Sequence, residues 1–153
     1  NETGAVGLLW WGGARGCAPT ARGPLPDDAI EIVRTLVAWC DGELADVVLT
    51  TGGTGLSPTD VTPEATIAVI ERETPGFSEW LRMSAAERFP RAILSRGRSG
   101  VRHRTLIINL PGSTGGVTDA LHALEPVIEH AVAVLRGEVK DHGEEHRGMA
   151  KGK

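Results

Sequence analysis

A chain of 153 residues, 41% apolar and with a net charge of −4, fits one domain with a single buried core. The acidic balance argues against a general nucleic-acid binder, which is normally basic overall, and no apolar stretch approaches the roughly 20 residues needed to span a bilayer. Aromatics are scarce at 4%, while 20 glycines and nine prolines point to aliphatic packing and many tight turns rather than a helical bundle.

Residues 1–23 are the least legible part. Asn1 to Trp11 could begin a helix, but Gly12 and Gly13 would weaken it by about 1 kcal/mol each relative to Ala. The run Gly7–Gly12 is too short for a signal peptide and lacks a basic flank. Cys17 and Cys40 are few and widely spaced, which reads as two reduced thiols in a cytoplasmic protein. Pro26-Asp27-Asp28 opens a helix in which Ala29, Ile32, Val33, Leu36, Val37 and Cys40 share one face, and Asp41-Gly42 ends it.

Residues 45–51 form a near-continuous apolar run, as for a parallel strand covered on both faces. After Thr51-Gly52-Gly53-Thr54-Gly55, Thr62 is a suitable N-cap with Pro63 at the first helical position, so a helix runs to about Glu73. Thr74-Pro75-Gly76 stops it, and a second helix from about Phe77 to Arg88 carries Phe77, Trp80, Leu81 and Ser84 on one side. Residues 92–95 and 105–110 read as strands linked by a basic turn. A long amphipathic helix spans Val117 to Arg136, with Gly137 at its end. Strands alternating with helices indicate an α/β domain over residues 1–137. The charged tail, residues 138–153, reads as disordered; its His142 and His146 imitate a metal-binding helix, but Gly143 undermines it and no third ligand is near.

Two turns carry the chemistry. In each, a buried strand runs into a loop rich in glycine and hydroxyl groups, Thr51–Gly55 and Pro111-Gly112-Ser113-Thr114-Gly115-Gly116, and a helix follows. Glycines let backbone N–H groups converge on an anion, and the helix N-terminus adds partial positive charge. Two such turns suggest a site for a phosphorylated ligand at the carboxyl ends of the strands. Asp60 lies beside the first loop, as a capping carboxylate or as a ligand for Mg²⁺ bridging the phosphates. Asp27 is by composition an acidic first-turn residue. Ser95 ends its own strand, so three strand ends share one rim. Arg96, Arg98, Arg102 and Arg104 cluster with His103, either as a solvated hairpin or as a neutraliser of ligand phosphate.

These residues carry a family resemblance. Thr-Thr-Gly-Gly-Thr-Gly, then Asp-Val-Thr-Pro-Glu-Ala-Thr, Glu-Thr-Pro-Gly, Leu-Ser-Arg-Gly and Asn-Leu-Pro-Gly-Ser, in consistent order from about Pro24 to Arg136, resemble the molybdopterin-binding domain of the MoaB/Mog family, which includes the G domain of gephyrin. The resemblance implies a three-layer α/β/α fold with a mostly parallel central sheet, a homotrimer, and transfer of AMP from Mg-ATP to molybdopterin. A molybdopterin-binding trimer or scaffold without catalysis is the alternative. It implies molybdopterin or phosphate binding by Thr51, Gly52, Gly53, Thr54, Gly55, Ser95, Pro111, Gly112 and Ser113. Asp60 and Asp27 are implied as catalytic residues and Mg²⁺ ligands, Asp27 because Leu25-Pro26-Asp27 matches a hydrophobic-Pro-Asp motif, with Asp28 one position away. Family members begin with a strand and a Ser-Asp-Arg-like turn upstream of the position matched by Asn1–Gly4, so the resemblance implies that this N-terminal strand is missing here.

Overall fold

The computed structural model describes residues 6–9 and 24–139. Cys17 and residues 140–153 of the charged tail, with His142 and His146, lie outside them.

The strand-forming apolar runs assemble into one six-stranded sheet. Its strands are β1 (Val6–Leu9), β2 (Pro24–Leu25), β3 (Val47–Thr51), β4 (Arg72–Glu73), β5 (Ser99–Arg102) and β6 (Thr105–Leu110), in the order β2-β1-β3-β6-β5-β4. At the centre β3 and β6 are parallel, with Thr51 opposite Leu110, as the continuous apolar runs imply. The flanking pairings are antiparallel, so the sheet as a whole is mixed. The segment Val6–Leu9, expected to begin a helix, is a strand instead. The open side of β3 offers ladder bonds to Gly7, Leu8 and Leu9, which a helix there would forgo. The position beside β3 is therefore filled by β1.

Four helices complete the layers: α1 (Ala29–Asp41), α2 (Thr62–Val69), α3 (Pro75–Ala86) and α4 (Thr114–Leu135). Alternation along β3 and β6 divides the core. Val48 and Ile107 pack with Ile32, Leu36, Ala65 and Val69 of α1 and α2. Val47, Leu49, Leu106, Ile108 and Leu110 pack with Leu81, Ala120, Leu124 and Ile128 of α3 and α4. The result is the expected α/β/α arrangement of three layers.

Several boundaries differ from the sequence reading. Helix α2 stops at Val69 rather than Glu73, because Arg72 and Glu73 pair with Val101 and Gly100 at the sheet edge. Pro75 begins α3 rather than ending a helix, at the N-terminal position where its missing N–H costs nothing. Residues 92–95, read as a strand, instead close a 3₁₀ turn, Pro90–Leu94, with Ser95 just after it and Ile93 and Leu94 exposed. The strand that pairs with β6 is β5, in a hairpin turning at His103 (φ 57°). Pro126 interrupts the bonding of α4, and the Trp80 indole donates to the nearby carbonyl of Ala123 at 3.1 Å. Among the described residues no helix is long and apolar enough to cross a membrane.

Candidate functional site

Because β3 and β6 are parallel and in register, both glycine loops leave the sheet at the same end. They touch: Gly52 N–H donates to the Leu110 carbonyl at 3.2 Å, and a Cβ on Gly112 would lie 3.2 Å from Gly52 Cα. The first loop turns through two left-handed residues, Gly52 (φ 87°) and Gly53 (φ 67°), a conformation that favours glycine. Thr51 is half-buried at the strand end, and Thr54 is buried.

Asp60 lies over this loop. Its Oδ2 accepts from Ser57 N–H at 3.1 Å and would lie 2.7 Å from a Cβ on Gly55. Asp27 reaches the same rim by a different route. Gly7 of β1 is paired with Pro24 on one side and Thr51 on the other, so β2 runs in the same direction as β3. Asp27 follows β2 at the carboxyl end, two strands across, roughly 10 Å at the usual strand spacing. Asp28 is occupied as the N-cap of α1, its Oδ1 accepting from Ile30 N–H at 2.8 Å. That leaves Asp27, exposed, as the carboxylate of this pair available at the rim.

In the second loop the Ser113 side chain caps α4 by accepting from Gly116 N–H at 3.0 Å, while Gly112 lies against Gly52 of the first loop. Ser95 does not end a strand, as expected from its sequence; it follows the 3₁₀ turn, and its hydroxyl accepts from Gly97 N–H at 3.3 Å. It still reaches the rim, because Arg96 N–H donates to the Thr54 carbonyl at 2.8 Å.

The basic cluster does not act as a unit. Arg98 pairs with Glu73, and Arg102 forms a two-point bond with Asp41, whose carboxyl is held below its ordinary range by that bond. Arg96 is committed to the protein as well: Nε donates to the Gly55 carbonyl at 2.8 Å, one terminal nitrogen to the Asp60 carbonyl at 2.7 Å, and the other pairs with Glu64. These hydrogen bonds hold the Glu64 carboxyl below its ordinary value of 4.5 and raise the Arg96 pKa. The guanidinium thus shapes the loop.

Three supporting residues lie outside the sequence reading, two of them without any signal in the pattern. Glu64 reads as an ordinary first-turn acid, and Arg82 as a solvated helix residue, yet Arg82 donates to the carbonyls of Ser95 (3.4 Å) and Gly97 (3.0 Å). Asn109 did leave a signal, a polar residue inside the run Leu106–Leu110. It is buried, donates to Thr50 Oγ1 at 2.8 Å and Thr66 Oγ1 at 2.9 Å, and accepts from Arg98 N–H at 2.9 Å. It ties both loop-bearing strands to α2.

Comparison with known proteins gives the following. Residues 7–130 match the family described as "Probable molybdopterin binding domain". A Helicobacter pylori protein named molybdopterin adenylyltransferase is 42% identical over 111 residues, 72% of this chain and 63% of that protein. The Escherichia coli protein of the same name is 43% identical over 101 residues, 66% of this chain and 52% of that protein. The chain therefore spans under two thirds of the curated relatives it matches. Among solved structures, the molybdopterin biosynthesis enzyme MoaB from Thermus thermophilus is similar at a TM-score of 0.69 and 48% identity, with 73% of this chain and 70% of that one covered.

Proposed function

The chain belongs to the molybdopterin-binding domain family, and from that premise we propose that it is a molybdopterin adenylyltransferase of molybdenum cofactor biosynthesis. In the reaction the terminal phosphate of molybdopterin attacks the α-phosphorus of ATP in line. A P–O bond forms to the incoming oxygen, the bond to the β-phosphate breaks, and pyrophosphate leaves. The observation that carries this reading is the contact of Gly52 with Gly112, which merges two anion-receptive loops into one rim beside Asp60.

Gly52–Gly55 and Pro111–Ser113 cradle phosphate or pterin on this reading, with Thr51 and Ser95 at the margins. Asp60 and Asp27 would hold Mg²⁺. The donor set suits that ion, which takes one or two carboxylates together with substrate phosphates and water rather than a protein cage. Mg²⁺ neutralises phosphate charge when bound. The chain itself orients the two substrates, since positioning and charge stabilisation supply most of the rate in phosphoryl transfer.

Homotrimeric assembly belongs to the same proposal. An apolar groove of about 610 Å³ between α3 and α4, lined by Phe77, Trp80, Pro126 and Val127, supports it, as does Trp80, which is 54% exposed. A stable monomer at micromolar concentration by light scattering contradicts the trimer. A cytoplasmic location is proposed on the free thiol of Cys40, which suits a reducing compartment. The enzymatic reading is tested by pyrophosphate release from Mg-ATP that depends on molybdopterin. Binding of molybdopterin without release would favour the binding-only alternative.

A further inference from the structure

Three successive peptide planes of the first loop are held by their carbonyl oxygens. The Gly53 carbonyl accepts from Thr62 N–H at 3.2 Å, the Thr54 carbonyl from Arg96 N–H at 2.8 Å, and the Gly55 carbonyl from Arg96 Nε at 2.8 Å. In a trans peptide the N–H points opposite to the C=O, so the N–H groups of Thr54, Gly55 and Leu56 face away from these partners. No acceptor for these three meets them among the described residues. Consecutive N–H groups turned to one side form an anion-binding concavity. Two of the three planes are fixed by Arg96, which also holds the Asp60 carbonyl and is itself anchored by Glu64.

We propose that Arg96, braced by Glu64, is a positioning residue that presents the Gly55 and Leu56 N–H groups and the Asp60 carboxylate to the ligand. It touches the loop from behind and acts through it. The proposal rests on the adenylyltransferase reading for its consequence and on the loop geometry for its cause, and the two are separable by experiment. Lysine is no substitute, because an ammonium cannot span the Gly55 carbonyl, the Asp60 carbonyl and Glu64 with a fixed fork.

The test uses the full chain with Arg96→Gln, Arg96→Lys, Glu64→Gln and Asp60→Asn. Nitrogen-15 relaxation without ligand reads the amides of Thr54, Gly55 and Leu56. Order parameters near the rigid value of about 0.85 are expected in the parent and below about 0.6 in Arg96→Gln, with Glu64→Gln between. Turnover should fall by about 10²-fold in Arg96→Gln, the scale of a small misplacement of catalytic groups, and Arg96→Lys should not restore it. In the Asp60→Asn background Arg96→Gln should lower kcat by clearly less than it does in the parent, because one of the two groups it positions is already gone. Parent-like order parameters in Arg96→Gln, or kcat losses that multiply in the double variant, would overturn the proposal. If Arg96→Gln does not fold, Glu64→Gln decides by the same measurements. If the parent binds molybdopterin without turnover, the enzymatic reading fails, and loop order with molybdopterin affinity decides the positioning role.

Discussion

Gly55 and Asp60 are in such close register that a Cβ on Gly55 would lie 2.7 Å from Asp60 Oδ2. The atom in the way is the end of a movable side chain, and Gly55 is outside the left-handed region. Gly55→Ala should therefore fold with a stability change within about 0.5 kcal/mol while displacing the carboxylate. AMP transfer is expected to fall by about 10²-fold. Thermal melting and pyrophosphate release on the same preparation check both halves; unchanged turnover would separate Asp60 from the reaction.

Gly53 behaves differently. It has φ 67°, and a Cβ there would lie 2.3 Å from Oγ1 of Thr62, a fully buried side chain. The left-handed backbone alone costs a side chain about 1–2 kcal/mol, and the overlap adds to it. Gly53→Ala should lose at least about 1–2 kcal/mol in denaturant unfolding. A larger residue such as valine at this position would thus disturb the α2 N-terminus, so its effect on ligand binding does not isolate the ligand's approach. An Ala variant as stable as the parent would contradict this account of the turn.

Asn109 supplies the third prediction. Asn109→Leu keeps the branched shape of the side chain but removes the acceptor of Arg98 N–H and the donor to Thr50 and Thr66. Burying polar groups that have lost their partners costs about 1–3 kcal/mol each, so a loss of about 2–4 kcal/mol is expected in chemical denaturation. A loss under about 0.5 kcal/mol would mean that the network does not join β3, β6 and α2.

Burial pushes the Cys40 thiol up from 9.0 to about 11. The folded state thus favours the protonated thiol, and the resulting stabilisation is full below pH 9.0 and declines as pH rises toward about 11. In a Cys17→Ser background, a disulfide reagent at neutral pH should leave Cys40 unmodified until denaturant is added, since the thiolate is the reactive species. Fast modification of the native protein would contradict the burial assignment.

The parts of the fold that were legible in sequence have strong local causes. The continuous apolar runs ending in Thr51 and Leu110 announce buried parallel strands, and their glycines announce the turns. Asp28 and Ser113 act as side-chain caps where short polar residues precede helical periodicity. What was illegible depends on partners distant in sequence. Ser99-Gly-Val-Arg102 has little strand pattern and becomes β5 because the edge of β6 is available. Arg96 looked like part of a charge cluster, and its role follows from Gly55 and Glu64, 41 and 32 residues away. Which of Asp27 and Asp28 caps α1 could not be told by pattern, and the bond from Ile30 N–H gives that part to Asp28.

The most direct test of the central claim is pyrophosphate release by Asp60→Asn with Mg-ATP and molybdopterin, with molybdopterin affinity measured alongside. The amide oxygen can still accept from Ser57 N–H, so fold and affinity should be retained. Removing the charge should cost about 2–4 kcal/mol of transition-state stabilisation, a drop in turnover of roughly 30-fold to 10³-fold. Turnover equal to that of the parent would contradict the account.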